Sequence, residues 1–321
     1  MYGSIIAEHA AVRRAAGLFD VSHMGQCEAR GPDAEKFLDF ALTNSFAGLP
    51  SGRARYSLIC DANGECIDDL IVYKISDSRF LIVLNAANTA SDIAQLRRAA
   101  AESGLDVEIA DISDAHSMLA VQGPESARVL KEALWTDISA LEKFAFLNLR
   151  DMFVSRTGYT GSDGFEIICK NADAERLADH CAEAGATPCG LGARDSLRLE
   201  AGYPLYGHEL SRQINPYEAG LGWAVKLEKD FVGRNFLKAA KDAGLKRRVA
   251  HFKADGRRIV REGEILFSGD SQAGRVLSGA WSPALEAPIM SAIVDAEFLD
   301  APLHAEVRGT KIRLERAARF I

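Results

Sequence analysis

The turn Asp61-Ala62-Asn63-Gly64 constrains the fold of this chain more than any other stretch. Asn-Gly tolerates positive φ at both central positions of a two-residue turn, so it pins an antiparallel hairpin. Ala54 to Cys60 reads as the outgoing strand and Cys66 to Ile75 as the return. Ser76-Asp77-Ser78 turns the chain again into a strand at Phe80 to Leu84. A helix capped by Asn85 to Thr89 then runs to about Ser103 and is stopped by Gly104. With strands at Val107 to Ala110 and Ser117 to Val121, this stretch forms a compact α+β unit.

The flanking segments are read in the same way. A helix spans Ser4 to Ala16 and ends at Gly17, an apolar stretch from Phe19 to Met24 is broken by Gly25, and a helix covers Asp33 to Leu42. Strands at Leu147 to Leu149, Met152 to Ser155 and Phe165 to Cys169 alternate with helices at Ala174 to Ala184 and Ala193 to Ala201. After a helix at Asn235 to Ala243, short strands separated by turns replace helical patterning up to Ile321, which indicates a small all-β domain beginning near Gly244. At 321 residues the chain holds about two domains, or three small ones.

Composition excludes several functions. A net charge of -7 gives no global basic field for nucleic acid or an anionic membrane. No apolar run reaches the ~18 residues of a membrane span, and the start of the chain does not read as a secretory signal. Six cysteines are scattered without a C-x-x-C pair, which suits reduced thiols in a cytoplasm and neither a disulfide framework nor a zinc site.

Three motifs carry candidate chemistry. Adjacent strand residues alternate faces, so of Asp68 and Asp69 in CIDDLIVYK only one faces inward, where burial would raise its pKa and suit it to proton transfer; the other is solvated, or both are solvated hairpin charges. RTGYTGSDGFE (156–166) is a tight loop without phosphate-cradle spacing. Its Tyr159 and Glu166 could serve a heterocycle by stacking and by accepting N–H donors, or the loop is simply a structural turn. In GLGARDSLRLEAGYPLYGHEL (190–210), Arg194 and Arg198 share a helical face, and Arg194 in the first turn opposes the helix dipole, a conflict that ligand binding or an internal ion pair could offset. His23 and His208 belong to no metal-spaced cluster, so both read as satisfied core or surface residues.

Together with FDVSHMG (19–25), NAAN (85–88) and GLGWAVKLEKDFVGR (220–234), these segments occur in an order that resembles the aminomethyltransferase, or T-protein, of the glycine cleavage system over nearly the whole chain. The resemblance implies an α+β, three-domain folate-binding fold with ferredoxin-like α/β units and a small C-terminal β-barrel. Its domains would be 1–25 plus 113–243 for folate binding, 26–112 for the catalytic carboxylate, and 244–321 for the barrel. It also implies a reaction: the one-carbon unit of aminomethyl-dihydrolipoyl H-protein passes to tetrahydrofolate, giving 5,10-methylenetetrahydrofolate and ammonia.

By the same resemblance Asp69 is the catalytic carboxylate, and the folate pocket uses Met24, Tyr56, Asp69, Ile71, Tyr73, Asn85, Tyr159, Glu166, Arg194, Tyr203 and Trp223. Tetrahydrofolate is the acceptor and no metal is implied. The partners are folate and lipoylated H-protein, with no nucleic acid or membrane, and the protein is a monomer apart from that transient complex. The location would be a bacterial cytoplasm, or a mitochondrial matrix in a eukaryote. The same fold also serves tetrahydrofolate-dependent demethylases of small methylated compounds, the alternative reading. His208, where family members more often carry an amide, and the turn in SGAWSPALEAPIM are departures from the pattern.

Overall fold

A computed structural model describes residues 2–318 and 320–321. Helix α1 (Ile5–Arg14) is capped by the Ser4 hydroxyl, which accepts from Ala7 N, and leads into β1 (Gly17–Asp20). There follow β2 (Gly25–Arg30), α2 (Ala34–Ala41), β3 (Arg53–Cys60), β4 (Cys66–Ser76), β5 (Arg79–Leu84), α3 (Thr89–Ser103) and β6 (Glu108–Asp111). The middle of the chain holds β7 (His116–Gln122), α4 (Ser126–Leu134), β8 (Phe146–Leu149), β9 (Met152–Ser155), β10 (Gly164–Lys170), α5 (Asn171–Glu183), β11 (Thr187–Pro188), α6 (Leu191–Glu200) and α7 (Arg234–Asp242). The rest is strand: β12 (Arg247–Ala254), β13 (Ile265–Ser268), β14 (Ser271–Ser282), β15 (Ala287–Asp295), β16 (Leu303–Val307) and β17 (Thr310–Ala317).

These strands make three sheets: β3-β4-β5-β2-β6, β11-β1-β7-β10-β9-β8, and a closed barrel β12-β15-β14-β13-β16-β17. The two open sheets pack face to face through a shared core that includes Phe19, Tyr73, Val83, Met118, Phe153 and Ile168. Helices α2 and α3 cover the outer face of the first sheet, and α4 and α5 that of the second. Strand residues alternate between these cores, as period-2 geometry requires. The fold is α+β with a C-terminal six-stranded barrel.

The structure corrects the local reading in several places. The 61–65 turn is not a two-residue turn with two positive φ values. Gly64 alone is left-handed (φ 72°), and the Asp61 carboxylate accepts from Asn63 N and Glu65 N, so a side chain closes a five-residue loop. Gly17 and Gly25 do not interrupt structure but lie in β1 and β2. A Cβ at Gly17 would come within 2.4 Å of Val12, and one at Gly25 within 2.3 Å of Thr89, so both glycines are there for close packing. Asn85 caps nothing with its side chain, which turns inward instead.

The 156–166 loop has a similar explanation. A Cβ on Gly158 or Gly164 would meet the buried Gln122 amide, at 1.9 and 2.4 Å respectively. That amide donates to Thr157 O and accepts from Thr160 Oγ1 at 3.0 Å, so it is the template around which the loop folds. Gly158→Ala is expected to cost about 1–3 kcal/mol through overpacking and to lower the melting temperature by several degrees, measurable by thermal denaturation.

Candidate active site

Where the two open sheets and the barrel meet lies a cavity of about 1740 Å³. Single small-molecule sites are typically ~300–1,000 Å³, so this one has room for two substrates to meet. All eleven residues singled out in the sequence line it. Tyr56, Asp69, Ile71 and Tyr73 come from β3 and β4, Asn85 from the end of β5, and Met24 from the β1–β2 connection. The 156–166 loop gives Tyr159, β10 gives Glu166, and α6 with the segments after it gives Arg194, Tyr203 and Trp223.

Asp69 and Asp68 behave differently from expectation. Neither is solvated in bulk: Asp69 faces the cavity, partly accessible from it, while Asp68 on the opposite face is fully buried. Tyr56 Oη donates to Asp69 Oδ2 at 3.0 Å, and Asn85 Nδ2 donates to Asp69 Oδ1 at 3.0 Å. Burial first, and then the Asp68 charge behind it, push the Asp69 carboxyl up to about 7, against the pull of those two hydrogen bonds. The Tyr56 ring in turn lies 5.4 Å from Trp223, whose indole is largely exposed at the cavity's edge.

Glu166 is also buried, with its Oε2 accepting from Thr157 Oγ1 at 2.5 Å. Tyr73 Oη and Ser155 Oγ complete that hydroxyl cluster. Burial raises the Glu166 pKa while Thr157 and the Arg194 charge oppose the rise. Arg194 lies over the Tyr159 ring at 4.6 Å, and Tyr159 stacks on Tyr203 at 5.9 Å between centroids. The cation that opposes its helix dipole is thus answered by Glu166 and by an aromatic face, not by a partner on its own helix. Arg198, on the same face by spacing, does a different job: it is buried against Glu209 (2.8 Å) and Ser278 (2.8 Å), joining α6 to the barrel.

The sequence left part of the lining unread. His23 is exposed to the cavity, and burial of its ring and the Arg194 charge lower its pKa. The barrel contributes Arg248, His251 and Arg316, which sit on strands with no motif to mark them. His208 lines a separate, smaller cleft, with its ring on Leu277 O. Among the described residues no group of three His, Cys, Asp or Glu is placed to hold a metal ion, and no helix is long and apolar enough to cross a membrane.

Aromatic walls with a buried carboxylate to accept N–H donors suit a flat polar heterocycle, and a second carboxylate titrating near neutrality suits proton transfer to or from it. The class of enzyme follows from comparison of the whole chain. Residues 1–229 match the family described as the GCVT N-terminal domain, and residues 247–320 match the glycine cleavage T-protein C-terminal barrel domain. The chain belongs to the glycine cleavage T-protein family.

Its relatives specify the activity. It is 44% identical over 97% of its length to an aminomethyltransferase of Anoxybacillus flavithermus, covering 88% of that protein. It is 46% identical over 96% of its length to one from Streptomyces avermitilis, covering 87%. The crystal structure of the glycine cleavage system aminomethyltransferase T of Bartonella henselae superimposes with a TM-score of 0.94 at 34% identity, over 99% of this chain and 90% of that one. The protein is an aminomethyltransferase of the glycine cleavage system.

Proposed function

We propose that this cavity joins the one-carbon unit of an aminomethylated lipoyl arm to tetrahydrofolate, with Asp69 as the catalytic carboxylate. The balance of the reaction says what the site must do. The aminomethyl carbon leaves sulfur and nitrogen and ends between two folate nitrogens. Those nitrogens lose two protons; one ends on ammonia and one on the dihydrolipoyl thiol. A proton carrier beside the pterin is therefore needed, and a carboxyl pushed up to about 7 is matched to that task. In its ionised form Asp69 also stabilises an iminium-like carbon as it forms.

In this reading Glu166 accepts the pterin N–H donors, and Met24, Ile71, Tyr73, Tyr159 and Tyr203 wall the ring. Arg194 opposes the rise that burial gives the Glu166 pKa, and Asn85 and Tyr56 hold the Asp69 oxygens. The observation that carries the reading is the placement of Asp69 and Glu166, both withheld from bulk water, on one cavity wall system. Lipoylated H-protein is the partner that presents the arm, and the six buried free cysteines fit a reducing cytoplasm.

The test is substrate choice. With aminomethylated H-protein and tetrahydrofolate the enzyme should form methylenetetrahydrofolate and release equimolar ammonia. Small methylated amines or thioethers should give no product above background. Turnover with a small donor and none with H-protein would establish the demethylase instead.

A further inference from the structure

Behind Asp69 stands a second pair of acids that the reaction as described does not use. Asp68 on β4 and Asp92 in the first turn of α3 are both fully buried. Among the described residues, neither Asp92 oxygen nor Asp68 Oδ2 has a hydrogen-bond partner in bonding geometry; the Ser91 hydroxyl beside Asp92 donates to Asn88 O instead. An Asp in a helix's first turn ordinarily accepts from the free backbone N–H groups there, and Asp92 does not. Instead the two carboxyls face each other within hydrogen-bond reach. Ionised carboxylates only accept, so that contact exists only with a proton in it. Two bare negative charges side by side in the core, without a cation, are not sustainable.

Among the described residues no cation pairs with either carboxyl. The titratable groups that face the pair are Asp69 and Cys66 on β4, Cys27 on β2 and Tyr206 in the segment after α6. Arg97, further along α3, donates to Ile109 O, and Arg212 pairs with Asp61 and Glu65. Burial and the neighbouring Asp68 accordingly push the Asp92 carboxyl up to about 10.

The pair reaches the cavity through one amide. Asn85 Nδ2 donates to Asp68 Oδ1 at 2.8 Å and to Asp69 Oδ1 at 3.0 Å, with Asp69 O also near at 3.2 Å. An amide NH₂ has two hydrogens, so serving both carboxylates fixes which way Asn85 points and where Asp69 Oδ1 sits. If Asp68 were neutral, Asn85 would lose a charged acceptor and Asp69 a repelling charge. If both Asp68 and Asp92 were ionised, the core would hold an unpaired charge.

We propose that Asp92 is a positioning residue for aminomethyl transfer: its carboxyl donates to Asp68 across the buried pair, and through Asn85 this holds the Asp69 carboxylate in its reactive orientation. This rests on Asp69 being the catalytic carboxylate. Asp92→Asn keeps a neutral donor of the same shape opposite Asp68, so kcat should stay within about threefold of wild type, with the acid limb of its pH profile unmoved. Asp92→Ala removes the donor and leaves the Asp68 carboxyl held by Asn85 alone. Its kcat should fall roughly tenfold to a hundredfold while KM for tetrahydrofolate changes less than about twofold.

Asp92→Ser, too short to reach Asp68, serves in place of the alanine variant if that fails to fold, with the same expected losses. Infrared difference spectra of wild type against Asp92→Asn at pH 8 read the proton directly: the wild type should show the carbonyl stretch of a protonated carboxyl, lost in the variant. Absence of that band, an asparagine variant as impaired as the alanine one, or an alanine variant with unchanged kcat each overturns the proposal. Full activity of Asp69→Asn with the band present would instead overturn the reading of Asp69 and leave the buried proton standing.

Discussion

Asp69→Asn should lose about two to four orders of magnitude in turnover with aminomethylated H-protein, while its affinity for tetrahydrofolate changes little. The substitution is isosteric. The carbonyl of the new amide can still accept from Tyr56, at the expense of the contact with Asn85, and Glu166, Arg194 and the aromatic walls are untouched. What is lost is a group that carries a proton near neutral pH. Steady-state rates of methylenetetrahydrofolate formation, with folate binding measured separately, decide it; turnover within threefold of wild type would reject the assignment.

The same variant should be more stable than wild type at alkaline pH. A carboxyl raised in the folded protein to about 7, from about 3.8 when unfolded, favours the native state only when protonated. That contribution is complete below about pH 4, disappears as pH rises toward 7, and amounts to about 4 kcal/mol at most. The asparagine variant should match wild type at pH 4 and exceed it at pH 8 in denaturant titrations. Equal stability at both pH values would mean that Asp69 is not held above its ordinary range.

The largest loss of stability is expected at Arg198. Its guanidinium, 1% exposed, donates to Glu209, itself 2% exposed, and to Ser278 of the barrel. Burial acts to raise the Glu209 pKa, but Arg198, with Ser278, Ser291 and Leu205 N, holds it below the usual carboxylate range. Arg198→Met would leave that carboxylate buried with only the neutral donors Ser278, Ser291 and Leu205 N as partners. Stranding one member of a buried pair typically costs about 3–5 kcal/mol. The double variant Arg198→Met with Glu209→Leu should recover most of it, because no charge is then stranded. Equal midpoints for wild type and Arg198→Met in urea would show that the pair does not hold α6 to the barrel.

The sequence exposed the strands and the site where periodicity and motif coincide. The hairpin from Arg53 to Ser76, the β8 to β10 strands and the all-β end were legible because alternation and turn residues agree there. Helix α4 was not anticipated, although its buried residues fall at helical spacing, and β1 and β2 were obscured by Gly17 and Gly25. A glycine that ends an element and one that lets two backbones approach look alike until the neighbour is known. The eleven residues named from the sequence all line the cavity, and all but Tyr56 lie in motif segments. Arg248, His251 and Arg316 were not legible, because a barrel strand places them by closure of the chain, far from any motif. Asp68 is the instructive case: alternation correctly put it opposite Asp69, but only the packing of α3 shows that the far side is core rather than water.

If an acid titrating near neutrality governs the transfer, the pH dependence of kcat/KM for tetrahydrofolate reads it most directly, measured from pH 5.5 to 8.5 with saturating aminomethylated H-protein. The wild type should show an acid limb with an apparent pKa near 7, and the residual activity of Asp69→Asn should show no such limb. A flat wild-type profile across that range, or an identical limb in the variant, would contradict a governing role for Asp69.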